Sequence, residues 1–311
     1  MKISICIPTY NRREFLEKAI LSCFFESNYQ FEILIGDDST IPSLSQKDLQ
    51  SFLPQKNYEI KYFHHKKALK QNKNVDFLIK QTTGDYCVIM HDDDSFTSEG
   101  LICLLKKLEE LNFPNNLILY GKQKIIDQND IENKNATDNL NLSYQRSVTF
   151  VGLQTDNIKA TLLQRCPSNG FLISGAQLRK LGYRDYETAG DACDIDLIIR
   201  ATILYDLKLY FVNEFVSNYR ISKDSISKLS NNNAIVFKYK ILDEFGINKK
   251  YPSLHKKILT DEYILLFGSY LNLKKYKEAK EFYFSKQYPF YKRFTPRGIY
   301  HLIKLGQVIL K

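Results

Sequence analysis

The sequence predicts an α/β protein with an open, mostly parallel sheet covered by helices on both faces, followed by a basic all-helical C-terminal region. Three observations predict it. The first 125 residues alternate strand-sized apolar runs with helix-period segments joined by short connections. Three of those runs end in polar or acidic clusters. From residue 231 onward the periodicity is helical only, and the charge balance changes. Residues 1–231 carry 28 Lys/Arg against 29 Asp/Glu, a net of −1, whereas residues 232–311 carry 16 against 6, a net of +10.

The elements follow in order. Residues 2–7 form an apolar run stopped by Pro8, as suits a buried strand. Phe15, Leu16, Ala19, Ile20 and Cys23 recur at helical spacing within residues 12–26. Residues 31–36 form a second strand, ending in Asp37, Asp38, Ser39 and Thr40. A third strand spans 59–63, and a helix spans 70–82 before Gly84. Residues 86–90 form a fourth strand, ending in His91 and Asp92, Asp93 and Asp94. Leu101, Leu104, Leu105 and Leu108 share one face of a helix over 98–111, and residues 116–126 read as a fifth strand. The Asn- and Asp-rich stretch 127–147 reads as an exposed loop. Then come a helix over 155–165, a strand over 170–174, helices over 176–181 and 191–206, and a strand over 207–212. Residues 271–285 look like one half of a helical hairpin repeat, with no second copy at a fixed period. The expected organisation is an α/β domain over 1–230, itself divided at 125/126, and a helical region over 231–311.

Composition excludes several classes. Of 311 residues 44% are hydrophobic and 25% charged, which is ordinary for a folded globular chain and argues against disorder or low complexity. No apolar run approaches ~20 residues, the length a spanning helix requires. Six cysteines show no CxxC spacing and mostly sit in apolar segments, so they read as reduced, buried thiols rather than a disulfide frame or zinc site. The chain enters a strand pattern at its first residues, so no signal peptide is expected and the expected location is cytoplasmic. No recognised nucleic-acid module accompanies the basic charge.

In open α/β sheets, ligands bind beyond the carboxyl ends of the strands. Pro8, Thr9, Asn11 and Arg12, then Asp37 and Asp38, then Asp92, Asp93 and Asp94 lie at three such ends. Three adjacent carboxylates repel one another unless a cation compensates, and Mg²⁺ or Mn²⁺ does so with one or two carboxylates plus phosphate oxygens. The bland alternative is a solvated turn whose next helix is capped by Ser95 or Ser98. A carboxylate of the Asp37–Asp38 pair suits a nucleobase imide or a ribose hydroxyl, or simply a turn. Gly36 is the sole glycine in the first 40 residues, so no GxGxxG follows the first strand, and GxxxxGK[ST] is absent.

These segments together resemble family 2 glycosyltransferases of the GT-A fold over residues 1 to about 225. The segment Ile5-Cys6-Ile7-Pro8-Thr9-Tyr10-Asn11-Arg12 is similar to the family's first strand and nucleotide turn. Phe31-Glu32-Ile33-Leu34-Ile35-Gly36-Asp37-Asp38-Ser39 resembles its second. Asn74, Thr83-Gly84-Asp85-Tyr86 and Asp92-Asp93-Asp94 resemble its DxD block. The resemblance implies that Thr9, Asn11 and one of Asp37 or Asp38 hold the nucleoside. It implies that Asn74, or its neighbours Asn72 and Lys73, lies beside the nucleotide or donor sugar. Asp92 and Asp93 would approach the ribose or sugar, and Asp94, with Asp92, would bind the metal and diphosphate, which makes 1–230 a catalytic domain with a nucleotide-sugar half over 1–125 and an acceptor half over 126–230.

The segment 190–200 resembles the family's E-D-x-D-L-x-L-R helix. Alignment on Asp196, Leu197 and Arg200 puts Asp194 on the second acid and Cys193 on the usual Glu. Asp194 or Asp191 is then the general base, where the alternative is a carboxylate at a helix N-terminus. Residues 216–222 with Ser225-Ile226-Ser227 resemble Y-R-x-H-x-x-S-x-S, with Ser222 at the usual His. Arg220 there meets diphosphate or forms a structural ion pair.

The implied activity is an inverting, metal-dependent transfer from a nucleotide-diphospho-sugar, UDP being the commonest donor nucleotide, to a glycan or lipid-linked acceptor in surface-polysaccharide synthesis. A sugar nucleotidyltransferase and a non-catalytic basic binding protein are the alternatives. The former needs a glycine-rich loop after the first strand, where this chain has Thr9-Tyr10-Asn11-Arg12-Arg13. In residues 295–311, Ile299, Leu302, Ile303, Leu305, Val308, Ile309 and Leu310 alternate with Arg297, Lys304 and Lys311 behind Pro296. That segment is expected to dock on an anionic membrane surface, on the catalytic domain or on a second copy of the chain.

Overall fold

A computed structural model describes residues 1–52, 57–221 and 233–309. Ser222, Ser225, Ile226 and Ser227, and the boundary expected near residue 230, lie outside the described residues. So do the side chains of Val308 and Ile309, and Leu310 and Lys311 entirely. The chain divides into two units, Met1–Tyr186 with Asp194–Ser222 and Glu187–Cys193 with Lys223–Lys311.

Strand and helix alternate as β1 (Lys2–Thr9), α1 (Arg13–Leu21), β2 (Gln30–Asp37), α2 (Gln46–Ser51), β3 (Tyr58–His64), α3 (Gln71–Gln81) and β4 (Tyr86–Ile89). Then come β5 (Ser95–Phe96), α4 (Gly100–Glu110), β6 (Leu117–Ile126), α5 (Lys134–Ser143), β7 (Gly152–Leu153), α6 (Asn157–Leu162), β8 (Leu172–Ser174) and α7 (Gly175–Leu181). The chain continues through α8 (Tyr186–Ala189) and α9 (Cys193–Leu204) into β9 (Lys208–Arg220). The strand order is β3-β2-β1-β4-β8-β6-β9-β5, with β7 on β9. β1 pairs in parallel with β2 and β4, β2 with β3, and β6 with β9, while β8, β5 and β7 run antiparallel to their neighbours. Six strands therefore point one way, and their carboxyl ends share an edge.

The continuous apolar runs of β1 and β2 arise because both faces are covered. Ile3, Ile5 and Ile7 pack on one face with Leu16 and Ile20 of α1 and Leu101 and Leu105 of α4. Cys6 and Leu34 pack on the other with Leu78 of α3, flanked by Phe63 and Phe77. All six cysteines are free thiols, and five are buried.

Several elements depart from the expected pattern. Residues 134–143 form a helix rather than a loop. Asn133 caps it by accepting from the Ala136 N–H at 3.0 Å. Its inner face docks by hydrogen bonds: the Ile125 N–H donates to Thr137 Oγ1 at 2.9 Å, and Asn141 Nδ2 donates to the Gln123 carbonyl at 2.8 Å. A helix seated by polar contacts carries no apolar stripe to announce it. The strand expected to end at Val212 continues to Arg220, because Ser217 and Asn218 pair with β5 as well as with β6. The short helix α2 lies between the expected second and third strands, started by the reciprocal capping box of Ser45 and Asp48. Residues 271–285 contain the end of one helix, a turn at Lys274 and the whole of the next helix.

Glu32 lies at the amino-terminal side of β2 and is fully buried. It accepts from Ser4 Oγ at 2.6 Å, the Thr83 N–H at 2.6 Å and Lys61 Nζ at 2.8 Å, with Lys2 Nζ at 2.9 Å. Burial alone would raise its pKa, but these donors outweigh burial and hold it well below the usual carboxylate range. The charged form is therefore the folded form. Its contribution is fully present above the unfolded pKa of about 4.3 and is lost as pH falls below it. Glu32→Gln should cost about 2–3 kcal/mol at pH 7 and flatten the acid limb of the stability profile. Denaturant melts across pH check both effects, and a parent-like acid limb in the variant would refute the assignment.

The second unit contains α10 (Ala234–Glu244), α11 (Ile247–Lys250), α12 (Pro252–Asn272), α13 (Tyr276–Phe284), a 3₁₀ turn over Phe290–Phe294 and α14 (Pro296–Ile309). Its core is aromatic. Phe267 stacks on His301 at 4.1 Å, and Tyr288 Oη meets His301 Nδ1 at 3.0 Å. Lys238 Nζ is nearly buried and lies 2.7 Å from Glu262 Oε1.

Candidate active site

β1, β2 and β4 are parallel neighbours, so the residues after them converge at one edge of the sheet. Thr9 Oγ1 donates to Asp92 Oδ2 at 2.7 Å, tying the end of β1 to the turn after β4. Arg12 Nη1 bridges Asp92 Oδ1 at 3.2 Å and Asp93 Oδ2 at 2.8 Å. Asp94 is 1% exposed and faces inward. Its Oδ1 accepts from the Arg220 N–H at 2.8 Å, and its Oδ2 accepts from Asn169 Nδ2. Asn169 is held in turn by Gln123, and Gln123 by Arg146, which makes a buried chain of amides behind Asp94.

Arg220 braces the triplet. It is 1% exposed, and its Nε, Nη1 and Nη2 donate to the Asp93 carbonyl, the Asp127 carbonyl and Asp130 Oδ1 at 2.8, 2.8 and 2.6 Å. The extra length of β9 brings it there.

The turn after β2 is organised around Asp37. Its carboxylate accepts from the Ser39 N–H at 2.8 Å, the Ser43 N–H at 2.7 Å and Tyr62 Oη at 2.5 Å. Burial opposes its charge, but these donors prevail and its pKa is lowered. Asp38 accepts the Leu69 N–H at 2.9 Å on Oδ1, which leaves Oδ2 without a protein partner among the described residues. Asn11 adopts a left-handed φ of 53°, and its N–H donates to Ser39 Oγ at 2.7 Å. Asn74 lies beneath this turn, donating to the Gly36 carbonyl at 2.8 Å and meeting His65 Nε2 at 3.2 Å. Gly36 allows that approach, since a Cβ there would lie 2.1 Å from Asn74 Oδ1. Asn72 is buried and donates to the Arg184 carbonyl at 3.1 Å, while Lys73 is exposed. Pro8 lies within β1, half-buried.

Asp194 and Asp196 lie two positions apart on α9 and so point to different sides of it. Asp196 is fully buried between Arg184 and Arg200, and Arg200 also donates to the Leu181 and Gly182 carbonyls at 2.7 and 2.6 Å. With α9 anchored there, Asp194 Oδ1 accepts from Tyr183 Oη, and Oδ2 lies 4.0 Å from His91 Nε2. The other ring nitrogen of His91 lies 3.8 Å from Asp94 Oδ2. His91 thus stands between the aspartate triplet and Asp194. Asp191 belongs to the second unit. Its Oδ2 accepts the Asn233 N–H and its own N–H donates to Asn233 Oδ1, both at 3.0 Å, at the start of α10.

The electrostatics favour a cation. Burial first, then the neighbouring Asp93, pushes Asp92 up to about 6 despite Arg12 and Thr9. The same two causes hold Asp94 well above the carboxylate range. Burial disfavours a charged His91, yet Asp194, Asp94, Asp93 and Asp92 together raise its pKa. The site is short of positive charge. One ligand atom each from His91, Asp93 and Asp94 lie within 4.8 Å of one another, a set of hard oxygens and one imidazole that can hold a divalent ion.

His91, Asn169, Tyr183 and the bridging role of Arg12 escape reading from sequence. A histidine at a strand's carboxyl end directly before three aspartates is a signal for His91. Asn169 and Tyr183 carry none, because their partners lie 75 and 11 residues away.

Residues 4–169 match the profile of glycosyl transferase family 2, and the chain belongs to that family. It is 32% identical over 169 residues to an uncharacterised glycosyltransferase of Rickettsia conorii, covering 53% of this chain and 24% of that protein. It is 33% identical over 112 residues to the GalNAc(5)-diNAcBac-PP-undecaprenol beta-1,3-glucosyltransferase of Campylobacter jejuni, covering 35% of each. The abequosyltransferase of Salmonella typhimurium is 31% identical over 111 residues, covering 35% of this chain and 33% of that protein. The chain therefore spans a quarter to a third of these relatives. Among solved structures, S. aureus TarS 1–349 superposes with a TM-score of 0.56 at 12% identity, over 99% of this chain and 81% of that one. Its complex with UDP-GlcNAc gives 0.55 at 15%. The likeness establishes the GT-A fold, with the helical C-terminal region following it.

Proposed function

We propose that the chain is an inverting glycosyltransferase that moves a sugar from a nucleotide-diphospho-sugar to a hydroxyl of a glycan or lipid-linked acceptor in surface-polysaccharide synthesis. The observation that carries the reading is the approach of Asp194 and the aspartate triplet to opposite nitrogens of His91. A base and a site for diphosphate charge then share one edge of the sheet. The Campylobacter relative is named for an undecaprenol-linked acceptor, and this supports a lipid-linked acceptor class and a place at the inner face of the membrane. No helix among the described residues is long and apolar enough to cross a membrane.

Asp38, with its open oxygen, and Asn11 hold the nucleoside, while Asp37 and Asn74 shape the turn that presents them. Thr9 and Arg12 orient Asp92 toward the ribose or sugar. His91, Asp93 and Asp94 would hold Mn²⁺ or Mg²⁺, which supplies charge neutralisation for the leaving diphosphate. Arg220 and Asn169 position Asp94. Asp194 takes the acceptor hydroxyl proton as the oxygen bonds to the anomeric carbon and the carbon–diphosphate bond breaks, through an oxocarbenium-like state. Tyr183 fixes one oxygen of Asp194 and leaves the other for that proton. We assign the base to Asp194 rather than Asp191, whose carboxylate accepts the Asn233 N–H at the start of α10, a reading supported by the place of Asp194 beside His91.

UDP-, GDP- and dTDP-sugars screened by thermal shift with and without Mn²⁺ or Mg²⁺ test the reading. UDP comes first, since a TarS complex of the same fold contains UDP-GlcNAc. One donor should raise the unfolding midpoint only with the ion, a ligand at 100 Kd adding about 2.7 kcal/mol by mass action. A shift that survives chelation, or none with any donor, would sink it.

A further inference from the structure

The second unit carries an apolar surface that its own core does not use. Gly298, His301 and Leu305 form the buried side of α14. Leu302, Ile299 and Ile303 form a contiguous stripe on its outside, 46%, 50% and 53% exposed. Beside it the 3₁₀ turn presents Phe290, Tyr291 and Phe294, each more than 60% exposed. Such an area of aromatic and aliphatic side chains is costly to leave in water.

The surface is built rather than loose. Arg293 Nε and Nη2 donate to the Tyr283 and Ser285 carbonyls at 2.9 and 2.6 Å, which pins the turn to α13. Gly298 lets α14 press on that turn, since a Cβ there would lie 2.0 Å from the Lys292 carbonyl oxygen. Turn and helix therefore share one frame.

Charge selects the occupant. After Glu281 the chain holds six basic residues, Lys286, Lys292, Arg293, Arg297, Lys304 and Lys311, and no acidic one. Arg297 and Lys304 lie on the flank of α14 away from Leu302, with Tyr300 between them and in cation–π reach of both. Exposed apolar and aromatic residues flanked by cations, on a helix that does not span a membrane, fit the interface of an anionic bilayer. Anionic headgroups would compensate these cations while the interface takes up the apolar side chains.

We propose that the turn Phe290–Phe294 and the outer face of α14 form a platform that docks on an anionic lipid surface. The proposal deepens the lipid-linked acceptor reading and rests on it only for its purpose, because docking requires neither donor nor acceptor. The test is co-sedimentation of the full chain with phosphatidylcholine vesicles, with and without phosphatidylglycerol. Binding should require phosphatidylglycerol and weaken with salt. Phe294→Ser with Ile303→Ser should reduce partitioning by at least about tenfold. Arg297→Glu with Lys304→Glu should do likewise, roughly fivefold or more per charge. The charge pair leaves Leu302, Ile299, Ile303 and the turn aromatics in place, so it decides the matter should the apolar pair fail to fold.

No binding to phosphatidylglycerol vesicles, or variants that bind like the parent, would overturn the platform. So would an oligomer, seen by light scattering, that the same variants dissolve, since the face would then be a contact between copies. Donor-dependent thermal shifts on these variants stay at the parent's level, so loss of docking and loss of the transferase reading are separate results.

Discussion

Asp194→Asn should abolish most sugar transfer, by about 10²–10⁴-fold, while leaving donor binding intact. Asparagine keeps the shape and can still accept from Tyr183 Oη, so α9 stays anchored through Asp196, Arg184 and Arg200. It cannot take a proton from the acceptor hydroxyl. Steady-state transfer together with a donor-induced thermal shift separates the two effects. Asp191→Asn is the contrast: its carboxylate receives the Asn233 N–H, so its loss should appear in stability more than in turnover. Transfer lost in Asp191→Asn and retained in Asp194→Asn would move the base.

Asp94→Ala should remove the divalent-ion requirement together with nearly all turnover. Several kcal/mol of transition-state charge stabilisation corresponds to a loss on the order of 10³-fold. Asp94 also receives the Arg220 N–H and the Asn169 amide, so the truncation disturbs two braces. Asp94→Asn, which retains the shape, and Asn169→Ala, which removes one brace and keeps the carboxylate, divide charge from position. Mn²⁺ titration followed calorimetrically should show binding lost in both Asp94 variants and weakened, not lost, in Asn169→Ala. Full activity in Asp94→Asn would remove the ion from this position.

The parallel part of the sheet, β1 to β4, was legible because its signals are local. Two-faced burial writes near-continuous apolar runs at β1, β2 and β4, broken only by Ser4 and Glu32, and parallel order then places their ends at one edge. Helix α5 was not legible, since Thr137 and Asn141 seat it by hydrogen bonds to β6 and not by an apolar stripe. The end of β9 was hidden for a related reason: Ser217 and Asn218 are polar, and their pairing with β5 reaches back more than 120 residues.

Strand periodicity, the three polar strand ends and the change of charge near residue 231 are properties of neighbouring residues, and the residue order states them outright. Which oxygen faces which donor depends on contacts between distant segments. Arg220, 126 residues from Asp94, became a brace when β9 lengthened. His91 came to face Asp194 when Asp196 was buried between two arginines. In the second unit the excess of cations was legible, while its apolar neighbour on α14 was not separable from core, because burial of Gly298, His301 and Leu305 decides which side of that helix is left outside.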